Sequence, residues 1–184
     1  MPAHFFQRHW ALCVDEVTEV VLHVLRGEDD PSLINCTCIV LIPKVESPEE
    51  LGQFRPISLC NVIYKIASKV MANRLKSVLP EIISEEQSAF VPGRLIIDNI
   101  ITAYECMHFM MKKRARDNRF YALKLDMRKA YDRVEWSYLK AIMIKLGFHR
   151  IWVEMIMRLD TTVSFSVLFN GDCLDSFVPT RGIR

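Results

Sequence analysis

The chain has 184 residues, is 51% hydrophobic and 25% charged, and carries a formal net charge of +2. These values describe an ordinary globular chain of one domain or two small lobes, and the overall charge gives no argument for a nucleic-acid binder. No apolar run is long enough to span a bilayer and the N-terminus has no signal peptide, so an intracellular chain without membrane attachment is expected.

The first predicted element is a helix over residues 11–26, where Ala11-Leu12, Val14, Val17, Val20-Val21 and Val24-Leu25 recur as an apolar stripe before Gly27 stops it. Glu28 to Ser32 is a polar breaker. Cys36 to Ile42 is β-rich and closes at Pro43. Lys44 to Phe54 reads as a loop. Val62 to Leu79 is an amphipathic helix ended by Pro80, with Lys65, Lys69, Arg74 and Lys76 on its outer face. A Pro92-Gly93 turn precedes Asp98, which is expected to cap a third helix from Asn99 to about Arg116. A strand covers about Phe120 to Asp126, and helices follow at Val134–Leu146 and Ile151–Leu159. Val163 to Phe169 alternates like a strand, Asn170-Gly171 is a type I′ hairpin signal, and Cys173 to Val178 returns. A helix-rich first part feeding a small antiparallel sheet predicts an α+β fold.

The six cysteines lie mostly in apolar runs, which suits reduced thiols. Cys36-Thr37-Cys38 is not a zinc spacing, and the five histidines are scattered. Asp126 carries the chemistry. An aspartate at the end of a buried strand presents a carboxylate rigidly at a sheet edge, the arrangement with which a nucleotidyl-transfer site holds Mg²⁺. The bland alternative is an aspartate that caps the next helix. Ala130-Tyr131 beyond it suit the floor and wall under a sugar, where the aromatic ring would exclude a ribose 2′-OH; the alternative is a core tyrosine. Lys44 and Arg55 are cations after short extended segments, suited to phosphate. Gln87 to Arg94 is a loop that either offers Arg94 to a phosphate backbone or is an ordinary connection. Lys112 to Arg116, with Arg119, forms a cationic cluster that is either a solvated helix end or a backbone contact.

The blocks FRPISLCNVIYKIASKVMANRL, ISEEQSAFVPGRLIIDNI and ALKLDMRKAYDRVEW resemble, in order, the reverse transcriptase of LINE-type non-LTR retrotransposons, especially plant elements. The flanking segments extend the resemblance from about Pro2 to Arg184. It implies the fingers and incomplete palm of a right-hand polymerase. The expected divisions are a helical lead-in over 1–35, a fingers-like region over 36–119 and a partial palm over 120–184. It implies that Asp126 is the first metal-binding aspartate and Tyr131 the sugar gate. The backbone of Lys129 and Ala130 then lies beside the triphosphate, with Arg55 and Lys44 as fingers cations. Gln87, Gly93 and Arg94 match a block near template and active site. RNA template, DNA primer, dNTP and Mg²⁺ are the implied partners and cofactor.

In this family the TRGIR block continues into Gln-Gly-Asp-Pro-Leu and an Asp-Asp hairpin that brings the remaining metal carboxylates, whereas this sequence ends at Arg184. Asp29-Asp30 precede the first motif and do not replace them. The expectation is a polymerase fragment, inactive by itself. A non-catalytic nucleic-acid-binding remnant and a decayed pseudogene product share the same sequence facts. A nuclear compartment would suit a retroelement enzyme, although no import signal is convincing, and no oligomeric state is encoded.

Overall fold

The structure, a computed structural model, describes residues 2–112 and 121–183. It divides into two compact units, Met1–Met71 with Lys129–Arg184, and Ala72–Arg128. Residues 113–120, which hold the cationic cluster after Lys112 and the end of the third predicted helix, lie outside the described residues, as do Met1 and Arg184.

In the first unit, α1 (Ala3–Arg8) and α2 (Trp10–Arg26) lead into a 3-10 turn, Pro31–Ile34. The apolar stripe of α2 buries Val17, Val21, Val24 and Leu25. They pack with Tyr64, Ala67 and Met71 of α3 (Val62–Ile82) and Leu159 of α6 (Arg150–Thr161). A second cluster joins Met143 of α5 (Trp136–Lys145) to Val153 and Met157 of α6. Burial of this order, about 1.5–3 kcal/mol for each large side chain, is the main force holding these helices together. One polar knot sits inside it. The fully buried Asn35 amide donates to the Leu159 carbonyl at 2.7 Å and to the Thr162 hydroxyl at 3.0 Å, and the Tyr64 hydroxyl donates to the same carbonyl at 3.3 Å.

Among the described residues the sheet has four strands, β1 (Cys36–Pro43), β2 (Phe54–Cys60), β3 (Ser164–Phe169) and β4 (Asp172–Cys173), in the order β2-β1-β3-β4. It is mixed, a correction to the antiparallel sheet expected: β1 pairs antiparallel with β2 but parallel with β3. A parallel neighbour needs a long crossover, and the helices between β1 and β3 supply one. The expected loop gives way at Phe54 to β2. Pro56 masks the strand in the sequence, yet β2 is an edge strand, where a residue lacking an N–H is tolerated.

The hairpin forms where expected. Asn170 and Gly171 both have positive φ, 50° and 95°, as a type I′ turn demands. β4 is only two residues long, and pairing resumes one residue out of register at Phe165 and Phe177. An extra residue in the return strand accounts for the slip.

Three further expectations are corrected. α3 continues through Pro80 to Ile82. Pro80 stands in the last turn, where both it and Lys76 are exposed, so the carbonyl left without a donor faces solvent. In the second unit, α4 (Ile96–Lys112) begins before Asp98, which lies in its first turn rather than at its cap. Either position sets a carboxylate against the positive end of the helix dipole. Residues 121–127 form no strand, and Leu123 and Leu125 are each 82% exposed. A strand is stable only when its backbone groups are paired, and no described segment pairs with this one. No described helix is long and apolar enough to cross a membrane.

Candidate functional site

Asp126 belongs to the second unit, within this exposed segment. It is not held by a strand end, as the sequence suggested. Among the described residues, no group of three histidine, cysteine, aspartate or glutamate side chains is placed to hold a metal ion. The residues present therefore do not by themselves fit a Mg²⁺ site, which needs several oxygens in near-octahedral geometry.

Gln87, Gly93 and Arg94 share the same unit and one loop. The sequence left Arg94 between phosphate contact and connection, and the structure turns its guanidinium inward. It donates to the carbonyls of Ser84, Gln87 (2.7 Å) and Ile83 (3.1 Å). Asn99 adds bonds to the Ser88 hydroxyl at 2.9 Å and the Glu86 carbonyl at 3.3 Å. The Gln87 side chain, exposed, donates to the Ala89 carbonyl at 3.2 Å. Arg94 thus shapes the loop that carries Gln87 and Gly93.

In the first unit, Lys44 and Arg55 come together at one end of the β1–β2 hairpin. Arg55 is paired with Ile42, and the Lys44 amide donates to the Gln53 carbonyl at 2.8 Å. Strand alternation puts both cations on one face as diagonal neighbours. The Lys44 ammonium donates to the Gly52 carbonyl at 2.9 Å, and Arg55 has no carboxylate partner among the described residues.

Lys129, Ala130 and Tyr131 form a tight turn in the same unit. Lys129 adopts φ 53°, unusual for a residue with a Cβ, and Ala130 follows at φ −51°, ψ −47°. Their carbonyls accept from Asp132 and Arg133, each at 3.1 Å. Their N–H groups have no acceptor among the described residues. A left-handed residue followed by a right-handed one lines up successive N–H groups into a small anion-binding concavity. Tyr131 beside it is 55% exposed, so it is no core tyrosine.

A further set of residues, unnoticed in the sequence, holds this turn. Gly182 donates from its N–H to the Val134 carbonyl at 2.8 Å, and Ile183 donates to the Tyr131 carbonyl at 3.0 Å. The Trp136 indole N–H donates to the Gly182 carbonyl at 2.7 Å, and Arg181 pairs with Glu135 at 3.2 Å. Gly182 has φ 95°, and a Cβ there would stand 3.3 Å from the Asp132 backbone. The one available signal was the glycine within TRGIR, whose need for close approach no local pattern displays.

A small turn with outward N–H groups beside an exposed aromatic, and two cations on one face of a hairpin end, sit on a mixed α+β fold. The reverse transcriptase (RNA-dependent DNA polymerase) family matches residues 42–182, and the chain belongs to that family. Its relatives are retrotransposon proteins. It is 30% identical over 180 residues to the transposon TX1 uncharacterized 149 kDa protein of Xenopus laevis, covering 98% of this chain and 14% of that protein. It is 31% identical over 145 residues to a Pol polyprotein from a type-1 retrotransposable element R2 of Bradysia coprophila, covering 78% of this chain and 16% of the relative. It is 30% identical over 118 residues to a probable RNA-directed DNA polymerase from transposon BS of Drosophila melanogaster, covering 60% and 12%. The resemblance to non-LTR retrotransposon reverse transcriptases and the α+β polymerase-type fold are borne out. The chain is a segment of a reverse transcriptase domain and spans a small part of the relatives it matches. Polymerases of this family generally use a divalent metal.

Proposed function

We propose that this chain contributes the fingers-like region and partial palm of an RNA-directed DNA polymerase that copies an RNA template onto a DNA primer with dNTP and Mg²⁺. The observation that carries the reading is the Lys129–Tyr131 turn, whose Lys129 and Ala130 N–H groups have no acceptor among the described residues and lie beside an exposed ring. Those N–H groups receive triphosphate oxygens. Lys44 and Arg55 supply positive charge from the hairpin end, Arg55 as a fork and Lys44 as a point charge. The Tyr131 ring rejects a 2′-OH and so selects deoxynucleotides. Gln87 and Gly93 meet the template side, with Arg94 acting through the loop it folds. Asp126 offers one carboxylate toward the metal. A single carboxylate does not satisfy Mg²⁺, so residues 1–184 alone do not extend a primer. A nuclear site of action belongs to the same proposal.

A fusion tests it. Residues 1–184 are joined to the segment that follows the matched region in the transposon BS relative and given an RNA template, a DNA primer, dNTP and Mg²⁺. Primer extension is expected from the fusion, none from residues 1–184 alone, and none from the fusion with Asp126→Asn. Tyr131→Ala in the fusion should incorporate ribonucleotides that the parent rejects. Extension that survives Asp126→Asn would remove Asp126 from the site, and undiminished discrimination in Tyr131→Ala would remove the gate.

A further inference from the structure

Two thiols on one sheet face meet across a strand. Cys38 is in β1 and Cys173 in β4, and β3 runs between them. Cys38 is paired with Ser166, and Cys173 with Leu168, so alternation sets all four side chains on the same face. Their sulfurs are 3.5 Å apart across 135 residues of sequence. Ser166, the β3 residue opposite Cys38, is small, and its hydroxyl is within hydrogen-bond reach of the Cys38 thiol. Among the described residues no other two of the six cysteine sulfurs are in contact.

We propose that Cys38 and Cys173 form an oxidisable pair that closes to a disulfide on reaction with a low-molecular-weight disulfide such as oxidised glutathione, tying the β3–β4 hairpin to β1. Closure to a bond of roughly 2.05 Å requires the sulfurs to approach by about 1.5 Å, and, because β3 separates the two strands, the Cα atoms must also close to within about 7 Å by a shift of backbone. The movement falls to the β4 side, because β4 is two residues long and sits at the sheet edge, although the Leu174 N–H still donates to the Val167 carbonyl at 2.9 Å. β1 is fixed on both sides by β2 and β3.

The order of steps follows from exposure. Cys173 is exposed and Cys38 half-buried. Burial, then the Cys173 thiol beside it, pushes the Cys38 thiol above its ordinary range. Cys173 is therefore the attacking group. Its thiolate attacks one sulfur of oxidised glutathione, whose S–S bond breaks and releases one glutathione. Cys38, having lost its proton, attacks the Cys173 sulfur of the mixed disulfide and expels the second glutathione. Two protein thiols are oxidised by two electrons, one glutathione disulfide is reduced to two thiols, and the two thiol protons end on the released glutathiones.

The test uses the full chain in oxidised and in reduced glutathione buffers, followed by alkylation of the remaining thiols, peptide mass mapping and thermal melting. Oxidation should remove two of the six reactive thiols, yield one cross-linked peptide joining Cys38 to Cys173, and raise the melting temperature reversibly with reductant. Cys173→Ser, at an exposed position, should abolish the cross-link and the shift, and Cys106→Ser should leave both intact. A glutathione adduct persisting on Cys173 without the cross-link would overturn the proposal. So would a bridge between any other two cysteines, or oxidation that leaves all six thiols free.

Discussion

The two compact units differ in what orders them. In Met1–Met71 with Lys129–Arg184, three helices bury an apolar cluster, and Asn35 and Tyr64 close on the Leu159 carbonyl inside it. In Ala72–Arg128, α4 buries none of its residues, and Ile100, Tyr104 and Met107 are exposed along it. Order there comes from polar bonds, chiefly the Arg94 guanidinium and the Asn99 amide gathering the loop before α4. Asp126 belongs to the unit in which no apolar cluster is seen among the described residues, and Tyr131 to the unit that has one. Tyr131 is therefore prearranged by the packing of this chain, whereas Asp126 is not.

The sharpest way to break this comparison is a pair of truncations. Leu159→Ala removes a core side chain that is 5% exposed and should cost about 2–5 kcal/mol in urea unfolding. Ile101→Ala in α4, at a half-exposed position, should cost less than about 0.5 kcal/mol. Equal losses would mean that α4 is covered as well as α6, and the contrast between units would fail.

Next in size is the brace around Tyr131. Gly182→Ala forces a Cβ into a left-handed backbone against Asp132 and should cost roughly 1–3 kcal/mol. Amide exchange at Ile183 should accelerate with it, since that N–H is bonded to the Tyr131 carbonyl. Gly52→Ala, with open space around it, is the matched control and should change little. Trp136→Phe keeps an aromatic ring but loses the bond to Gly182 and some packing on the Met143–Val153–Met157 cluster, for about 1–2 kcal/mol. Asp126→Asn should leave stability within about 0.5 kcal/mol, because its segment is exposed and unpaired, even as it abolishes extension by the fusion.

The elements legible in the sequence were those whose signals are local. The α2 stripe and the Asn170-Gly171 hairpin each act over a few residues, and both appear where they were expected. The misreadings arose where distant segments decide. Pro56 argues against a strand until β2 is known to be an edge, and the parallel partner of β1 lies far along the chain. Tyr121 to Asp126 has the pattern of a strand but lacks a described partner to pair with. Lys129, Ala130 and Tyr131 were singled out in the sequence by residue type and by resemblance, and the structure sets them in one turn. The left-handed Lys129, the inward Arg94 and the Trp136–Gly182 brace were not legible, because backbone angles and close approach have no residue code.

The smallest expected effect compares one carboxylate from each unit under acid. Asp30 accepts from the Ser32 N–H at 3.0 Å and the Ser32 hydroxyl at 2.7 Å, and these bonds hold its pKa below the ordinary 3.8. Glu86 is held below its ordinary 4.5 by its own backbone N–H first and then by Ser84. A lowered folded pKa means that the unfolded chain binds the proton more readily. Each group's contribution is therefore complete above its ordinary value and is lost as pH falls through the lowered one. On acidification the Glu86 contribution should begin to fade below about pH 4.5 and the Asp30 contribution only below about pH 3.8. Both groups are exposed, so the shifts are small and call for amide exchange resolved by segment rather than a global melt. Asp30→Asn retains a capping oxygen but cannot titrate. It should flatten the acid response of the Pro31–Ile34 turn alone, and Glu86→Gln should flatten that of the loop over 84–94 alone. A response shared by both segments in either variant would show that the two units unfold together and would dissolve the comparison.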